Sequence, residues 1–132
     1  MLTLEEGLKA VKLAREVVEQ YVKYKTTSSS DLKGNFLEKQ GVFTTLHTYP
    51  EHDLRGCIGL PLPIMPLKEA IIESAKSATN DPRFPKLEEN EIDNIIIEVT
   101  ILTKPQLIQV TDPKNYIKHI EIGRDGLIAE QG

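Results

Sequence analysis

Val42-Phe43-Thr44-Thr45-Leu46-His47-Thr48, then Tyr49-Pro50-Glu51-His52-Asp53, then Leu54-Arg55-Gly56-Cys57-Ile58-Gly59-Leu60 is the stretch on which the fold turns. The first run is rich in β-branched residues, the last is a second extended run, and the five residues between them supply turn chemistry. Together they predict a β-hairpin. Side chains alternate along a strand, so Val42, Thr44 and Leu46 share one face while Phe43, Thr45 and His47 share the other. Matching the apolar faces groups Leu46, Leu54 and Ile58 and so sets the register parity. Arg55, Cys57, Thr45 and His47 are then expected on the second face.

Upstream, Thr3 and Glu6 have the Thr-x-x-Glu spacing of a capping box, in which each side chain satisfies a backbone donor at a helix start. Leu4, Leu8, Val11, Val18 and Val22 follow at whole helical turns, with Lys9, Lys12, Glu16, Glu19 and Lys23 largely opposite. The pattern predicts an amphipathic helix from about residue 4 to 24. Thr26 to Gly34 is polar and Ser-rich and reads as a loop. Downstream, the prolines of Leu60-Pro61-Leu62-Pro63-Ile64-Met65-Pro66 rule out a central strand, leaving a stiff crossover into a helix that begins near Pro66. Leu67, Ala70, Ile71, Ser74, Ala75 and Ala78 give that helix a stripe of small residues suited to close packing on a sheet. Asn80-Asp81-Pro82 ends it.

Asp81 to Asn94 reads as a loop whose Glu88, Glu89, Glu91 and Asp93 form a solvated rim. Ile95-Ile96-Ile97-Glu98-Val99-Thr100-Ile101-Leu102 is the strongest strand, apolar on one face and mixed on the other. Leu107 to Val110 extends it after Pro105. Asp112-Pro113 starts a short helix through about Lys118, and the turn Gly123-Arg124-Asp125-Gly126 leads to a strand at Leu127 to Glu130. The expected class is α+β, a mixed, largely antiparallel sheet flanked by helices.

The chain has 132 residues, 39% hydrophobic and 27% charged, enough for one core. A net charge of -4 with no Trp argues against nucleic acid and against an acidic membrane surface as partners. Met1 to Ala10 lacks a basic start followed by an apolar core, and no apolar run approaches the roughly 20 residues of a membrane span. A single cysteine, Cys57, excludes an internal disulfide and suits a reducing cytoplasm. The expected location is therefore cytoplasmic.

Only four of the 16 basic residues are Arg: Arg15, Arg55, Arg83 and Arg124. Three lie outside the expected helices, in Leu54-Arg55-Gly56-Cys57-Ile58-Gly59, Asp81-Pro82-Arg83-Phe84-Pro85 and Gly123-Arg124-Asp125-Gly126. Arginine's planar fork grips carboxylate or phosphate bidentately, which Lys cannot imitate. Set against this is a structural role, with Arg83 paired to Asp81 or the backbone and Arg124 to a nearby carboxylate to pin loops. Cys57 is either a small buried strand residue or, with Arg55 on its face and His47 diagonal to it, an activated nucleophile. Gly56 and Gly59 around it would admit a ligand or another backbone. His47 and His52 lie five apart across a turn without structural-zinc spacing and read as surface histidines, so no metal site and no cofactor are expected; with His119 they are the candidate bases.

Leu54-Arg55-Gly56-Cys57-Ile58-Gly59 resembles the signature hexapeptide of the AMME chromosomal region protein family, the AMMECR-type domain. The likeness extends from Gly41-Val42-Phe43-Thr44-Thr45-Leu46 through Asp81-Pro82-Arg83-Phe84 and Ile97-Glu98-Val99-Thr100-Ile101-Leu102 to Gly123-Arg124-Asp125-Gly126-Leu127-Ile128, in the family's order. It implies an α+β fold with a larger and a smaller subdomain and a cleft near the hexapeptide. By position it marks Arg55, Gly56, Cys57, Gly59, Asp81, Arg83, Phe84, Arg124 and Asp125; His47 is not in the pattern. It implies association with Memo-like and radical-SAM proteins but carries no assigned reaction. Family domains continue past this point with more sheet and a C-terminal helix, so residues 1–132 are expected to be a single AMMECR-type domain short of its C-terminal part.

Two functions follow as expectations. In one, Cys57 with Arg55, Arg83 and Arg124 lines a cleft that binds a small anionic substrate and modifies it, Cys57 being the nucleophile. In the other, a non-enzymatic domain docks a Memo-like or radical-SAM partner, with Arg83 and Phe84 as anchors. Whether the protein is an enzyme, and its oligomeric state, stay open at this level.

Overall fold

A computed structural model describes residues 2–105, 107, 111, 112, 114 and 115. Helix α1 (Leu4–Tyr24) opens with the expected capping box: Thr3 Oγ1 accepts the Glu6 amide at 3.1 Å, and Glu6 Oε1 accepts the Thr3 amide at 3.1 Å. Lys25 closes it in the left-handed region, φ 56°, its N–H returning to the Tyr21 carbonyl. The buried stripe is Ala10, Leu13, Ala14, Val17, Val18 and Val22. Leu4 and Leu8, expected on that face, are instead 84% and 64% exposed, and Val11 is exposed too. The small Ala10 and Ala14 let α1 approach its neighbours along a stripe rotated from the one the leucines mark.

The hairpin is present as β1 (Gly41–Thr48) and β2 (Leu54–Leu60), and β3 (Ile95–Leu102) pairs with the other side of β1. All pairings among the described residues are antiparallel, in the order β2-β1-β3. The flanking strands β2 and β3 therefore run parallel, and α2 (Leu67–Ala78) is the crossover between them. Thr44 faces Ile58 and Val99, and Leu46 faces Gly56 and Ile97, so this side of the sheet meets the helices. The stripe expected on α2 is buried, including Ala70, Ile71, Ser74, Ala75 and Ala78. Across that interface Thr44 and Ser74 hydroxyls lie 2.7 Å apart, and Ser74 donates onward to the Ile71 carbonyl. Helix α1 packs on α2 and β3. Arg15 secures it, donating to the Ile92 and Ile95 carbonyls at 2.7 and 3.3 Å.

Two details depart from the alternation. The register shifts between Leu46 and His47, so that Leu54 lies opposite His47 rather than joining Leu46 and Ile58. An extra residue in one strand reverses the facing of those beyond it, and Leu54 is 40% exposed. Within the acidic segment, Glu89–Asn94 forms a 3-10 helix, and Ile92 in it is buried. Glu88, Glu89 and Asp93 form the expected exposed rim, but Glu91 turns inward. Asp112 caps a turn, accepting the Lys114 amide at 3.0 Å. The expected extension at Leu107 to Val110 and the helix to Lys118 fall largely outside the described residues. The strand at Leu127 to Glu130, with Arg124, Asp125 and His119, falls outside them entirely.

Candidate functional site

The hexapeptide is β2 itself, and each of its residues has a distinct neighbour. Gly56 lies so close to the end of α2 that an added Cβ would collide with the Ala78 carbonyl oxygen. At Gly59 the Phe43 ring, from the opposite position on β1, occupies the space of a Cβ. Both glycines thus serve close packing, one against another backbone and one against an aromatic ring.

Cys57 sits between them, half-buried, on the face of the sheet turned away from the helices. Its Sγ lies 3.2 Å from Thr45 Oγ1 on the adjacent strand. Its backbone is held by the loop after α2. Cys57 N–H donates to Asp81 Oδ2 at 2.9 Å, and the Cys57 carbonyl accepts from Arg83 Nη2 at 3.2 Å. Arg83 also grips Asp81 with both prongs, Nε to Oδ1 at 3.1 Å and Nη2 to Oδ2 at 2.7 Å, while its own amide donates to Oδ1. The Asp81 side chain is only 1% exposed. The Arg83 guanidinium holds its carboxyl well below the usual carboxylate range, outweighing burial, and the Cys57 and Arg83 amides add to that effect. The rest of the guanidinium is exposed and lies 5.5 Å over the Phe84 ring.

Arg55 points elsewhere. It forms a fork-to-fork pair with Glu91, Nε to Oε1 at 2.9 Å and Nη2 to Oε2 at 3.0 Å. This pair, with a hydrogen bond from the Glu88 amide, lowers the Glu91 carboxyl below its ordinary value against the opposing effect of burial. The structure therefore gathers Cys57, Asp81, Arg83 and Phe84, and turns Arg55 to a carboxylate of its own chain. Arg124 and Asp125 lie outside the described residues. His47, considered as a partner for Cys57, stacks on His52 instead, at 4.2 Å between ring centroids.

One cluster escaped the sequence reading. His47, His52 and Glu98 bring their donor atoms within 4.8 Å of one another. The spacing of the two histidines gave no hint, because the turn between them folds His52 back. Glu98 held the available signal as a lone charge within an apolar strand.

An antiparallel sheet backed by two helices, with Cys57 between glycines in a strand at the edge of the described sheet and pinned by an Asp-x-Arg loop, defines the class of domain. The chain belongs to the AMMECR1 family, whose sequence model matches residues 11–132. It is 56% identical to Protein MJ0810 of Methanocaldococcus jannaschii over 133 residues, covering all of this chain and 66% of that protein. Identity to Protein MK0488 of Methanopyrus kandleri is 48%, over 99% of this chain and 65% of that one. The fold matches the crystal structure of the uncharacterized protein PH0010 from Pyrococcus horikoshii with a TM-score of 0.91 at 43% identity. That match covers 99% of this chain and 67% of the other. The chain thus spans about two thirds of the length of these relatives. No helix among the described residues is long and apolar enough to cross a membrane.

Proposed function

We propose that this domain is a non-enzymatic docking module that engages a protein partner through Arg83 and Phe84 beside β2. The observation that carries this reading is the state of the two described motif arginines: both forks are filled by carboxylates of the same chain, Arg55 by Glu91 and Arg83 by Asp81. A fork already engaged bidentately has little left with which to grip a free anion in the same manner. What remains outward at Arg83 is the outer edge of its guanidinium, on a side chain 58% exposed and laid over an aromatic ring, in a residue fixed to Asp81 by one hydrogen bond from its amide and two from its side chain. Rigid Arg-aromatic surfaces of this kind suit an interface anchor, because little entropy is lost when they are covered. Partners of the Memo-like or radical-SAM class are those the family resemblance implies. Capture of purified proteins of both classes by the immobilised chain tests the reading. Phe84→Ala, which leaves the Asp81–Arg83 pair intact, is expected to weaken capture at least about tenfold. Undiminished capture by Phe84→Ala and by Arg83→Lys overturns it.

A second reading, a small-anion site with Cys57 as nucleophile, is favoured by the exposed guanidinium lying against the backbone of a half-buried thiol. It requires Arg55, Arg83 and Arg124 to act together with Asp125. Its signature is a saturable thermal shift with phosphate, nucleotides or carboxylates that Arg55→Lys abolishes, together with Cys57 alkylation at a pH well below that of an ordinary thiol. Absence of both signatures removes it.

A further inference from the structure

We propose that His47, His52 and Glu98 form a binding site for one divalent cation of the zinc type, on the face of the sheet turned away from α1 and α2 at the hairpin end. The three residues come from separate places: His47 near the end of β1, His52 in the turn, Glu98 in the middle of β3. Thr45 pairs with Glu98 and His47 with Ile96, so His47 and Glu98 are diagonal neighbours on one face. His47 Nδ1 stands 3.5 Å from Glu98 Oε1, and His52 Nε2 stands 3.9 Å from the same oxygen.

The turn is built to hold His52 there. Its φ of 61° lies in the left-handed region, uncommon for a residue with a side chain. The His52 amide donates to the Thr48 carbonyl, the Thr48 amide to the Asp53 carbonyl, and the Asp53 amide to Thr48 Oγ1. This locked backbone lays the second imidazole over the first, with the planes 15° apart.

The polar chemistry inside the cluster is incomplete. His47 Nδ1 is buried from solvent and has no hydrogen-bond partner among the described residues, although it faces a carboxylate. Two imidazolium rings stacked this closely would repel each other. Two ring nitrogens and a carboxylate oxygen within 4.8 Å of one another make a donor set that one cation completes.

The donor set selects the class of cation. Two imidazoles and one carboxylate suit Zn2+ and its borderline neighbours, whereas Mg2+ and Ca2+ favour all-oxygen sites. Tetrahedral bonds of roughly 2.1 Å place donor atoms about 3.4 Å apart, so closure from 3.5, 3.9 and at most 4.8 Å requires the two stacked rings to turn until their in-plane lone pairs meet at one point. His52 and Glu98 are half-exposed, which gives the ion a route in and leaves a coordination position open to water.

Titration of the full chain with Co2+ and Zn2+, followed by Co2+ absorption and by thermal unfolding, tests the site. One equivalent of Co2+ is expected to give the visible bands of a four- or five-coordinate ion, displaced by Zn2+ and not by Mg2+ or Ca2+. Zn2+ is expected to raise the unfolding midpoint. His52→Ala and Glu98→Gln change half-exposed side chains and leave the core untouched. Each is expected to weaken binding at least about tenfold. Cys57→Ser is expected to bind as the parent chain does. No stoichiometric binding by the parent chain, or equal binding by His52→Ala and Glu98→Gln, overturns the proposal.

Discussion

Asp81 and Cys57 are joined by a 2.9 Å hydrogen bond in which a carboxylate with almost no exposure accepts a strand amide. The bond ties the loop after α2 to β2, and Arg83 supplies the countercharge that makes an ionised, buried Asp81 tolerable. Removing the carboxylate strands the Cys57 amide and frees Arg83 at once. Asp81→Ala is expected to lower stability by roughly 2–4 kcal/mol, measured by urea unfolding.

The same carboxyl makes acid stability a readout. Its folded-state pKa lies below the unfolded value of about 3.9, so its contribution is complete above that value and is lost as pH falls below it. The urea midpoint is expected to drop as pH is lowered from about 5 to 3, and to drop less steeply in Asp81→Asn. Parallel pH profiles for the two chains would show that the bond carries no such linkage.

Two glycines are expected to respond with opposite signs to the same substitution. Gly56→Ala drives a methyl into the Ala78 carbonyl, a backbone atom with no easy retreat, and should destabilise by about 1–3 kcal/mol. Gly7→Ala, in the interior of α1 with nothing within 4 Å, should stabilise by about 0.5–1 kcal/mol. Thermal unfolding of the two variants side by side checks both.

Arg55 and Glu91 should behave as a unit. Glu91 is partly solvated, so the pair is worth only about 1 kcal/mol after screening. Arg55→Lys loses the bidentate geometry and is expected to show most of that loss. A double-mutant cycle on Arg55→Ala and Glu91→Ala should return a favourable coupling, and strict additivity would deny it.

Thr44 and Ser74 meet in a fully buried contact between β1 and α2. Thr44→Val removes the donor, with an expected loss of about 1–2 kcal/mol. Adding Ser74→Ala should recover part of it, because no buried hydroxyl oxygen is then left without the donor it had from Thr44. Calorimetry of the single and double variants separates this outcome from simple addition.

Local patterns were legible wherever one segment held all the information. Thr3 and Glu6 announce α1, the stripe from Leu67 to Ala78 announces α2, and alternation along Val42 to Thr48 assigns the faces of β1. Leu4, Leu8 and Val11 misled because periodicity shows that a helix has an apolar side but not which neighbouring stripe its partners will cover. Leu54 misled because one irregularity at His47 inverts everything beyond it. At the site, the short-range Asp81–Arg83 pair was anticipated from spacing. The Arg55–Glu91 pair was not, since 36 residues separate the two in sequence and only the completed sheet end brings them together. His47, His52 and Glu98 needed both the turn conformation and the register of β3, neither of which composition encodes.

At Cys57 the Asp81 carboxylate takes the N–H while the Arg83 guanidinium meets the C=O, the two contacts a neighbouring strand would have offered. A loop ion pair is therefore impersonating a β-ladder rung. Any foreign peptide trying to zip onto β2 at this point must first evict a salt bridge. Among the described residues β2 has no strand on its outer side, and there this ion pair occupies the backbone groups that a further strand would need.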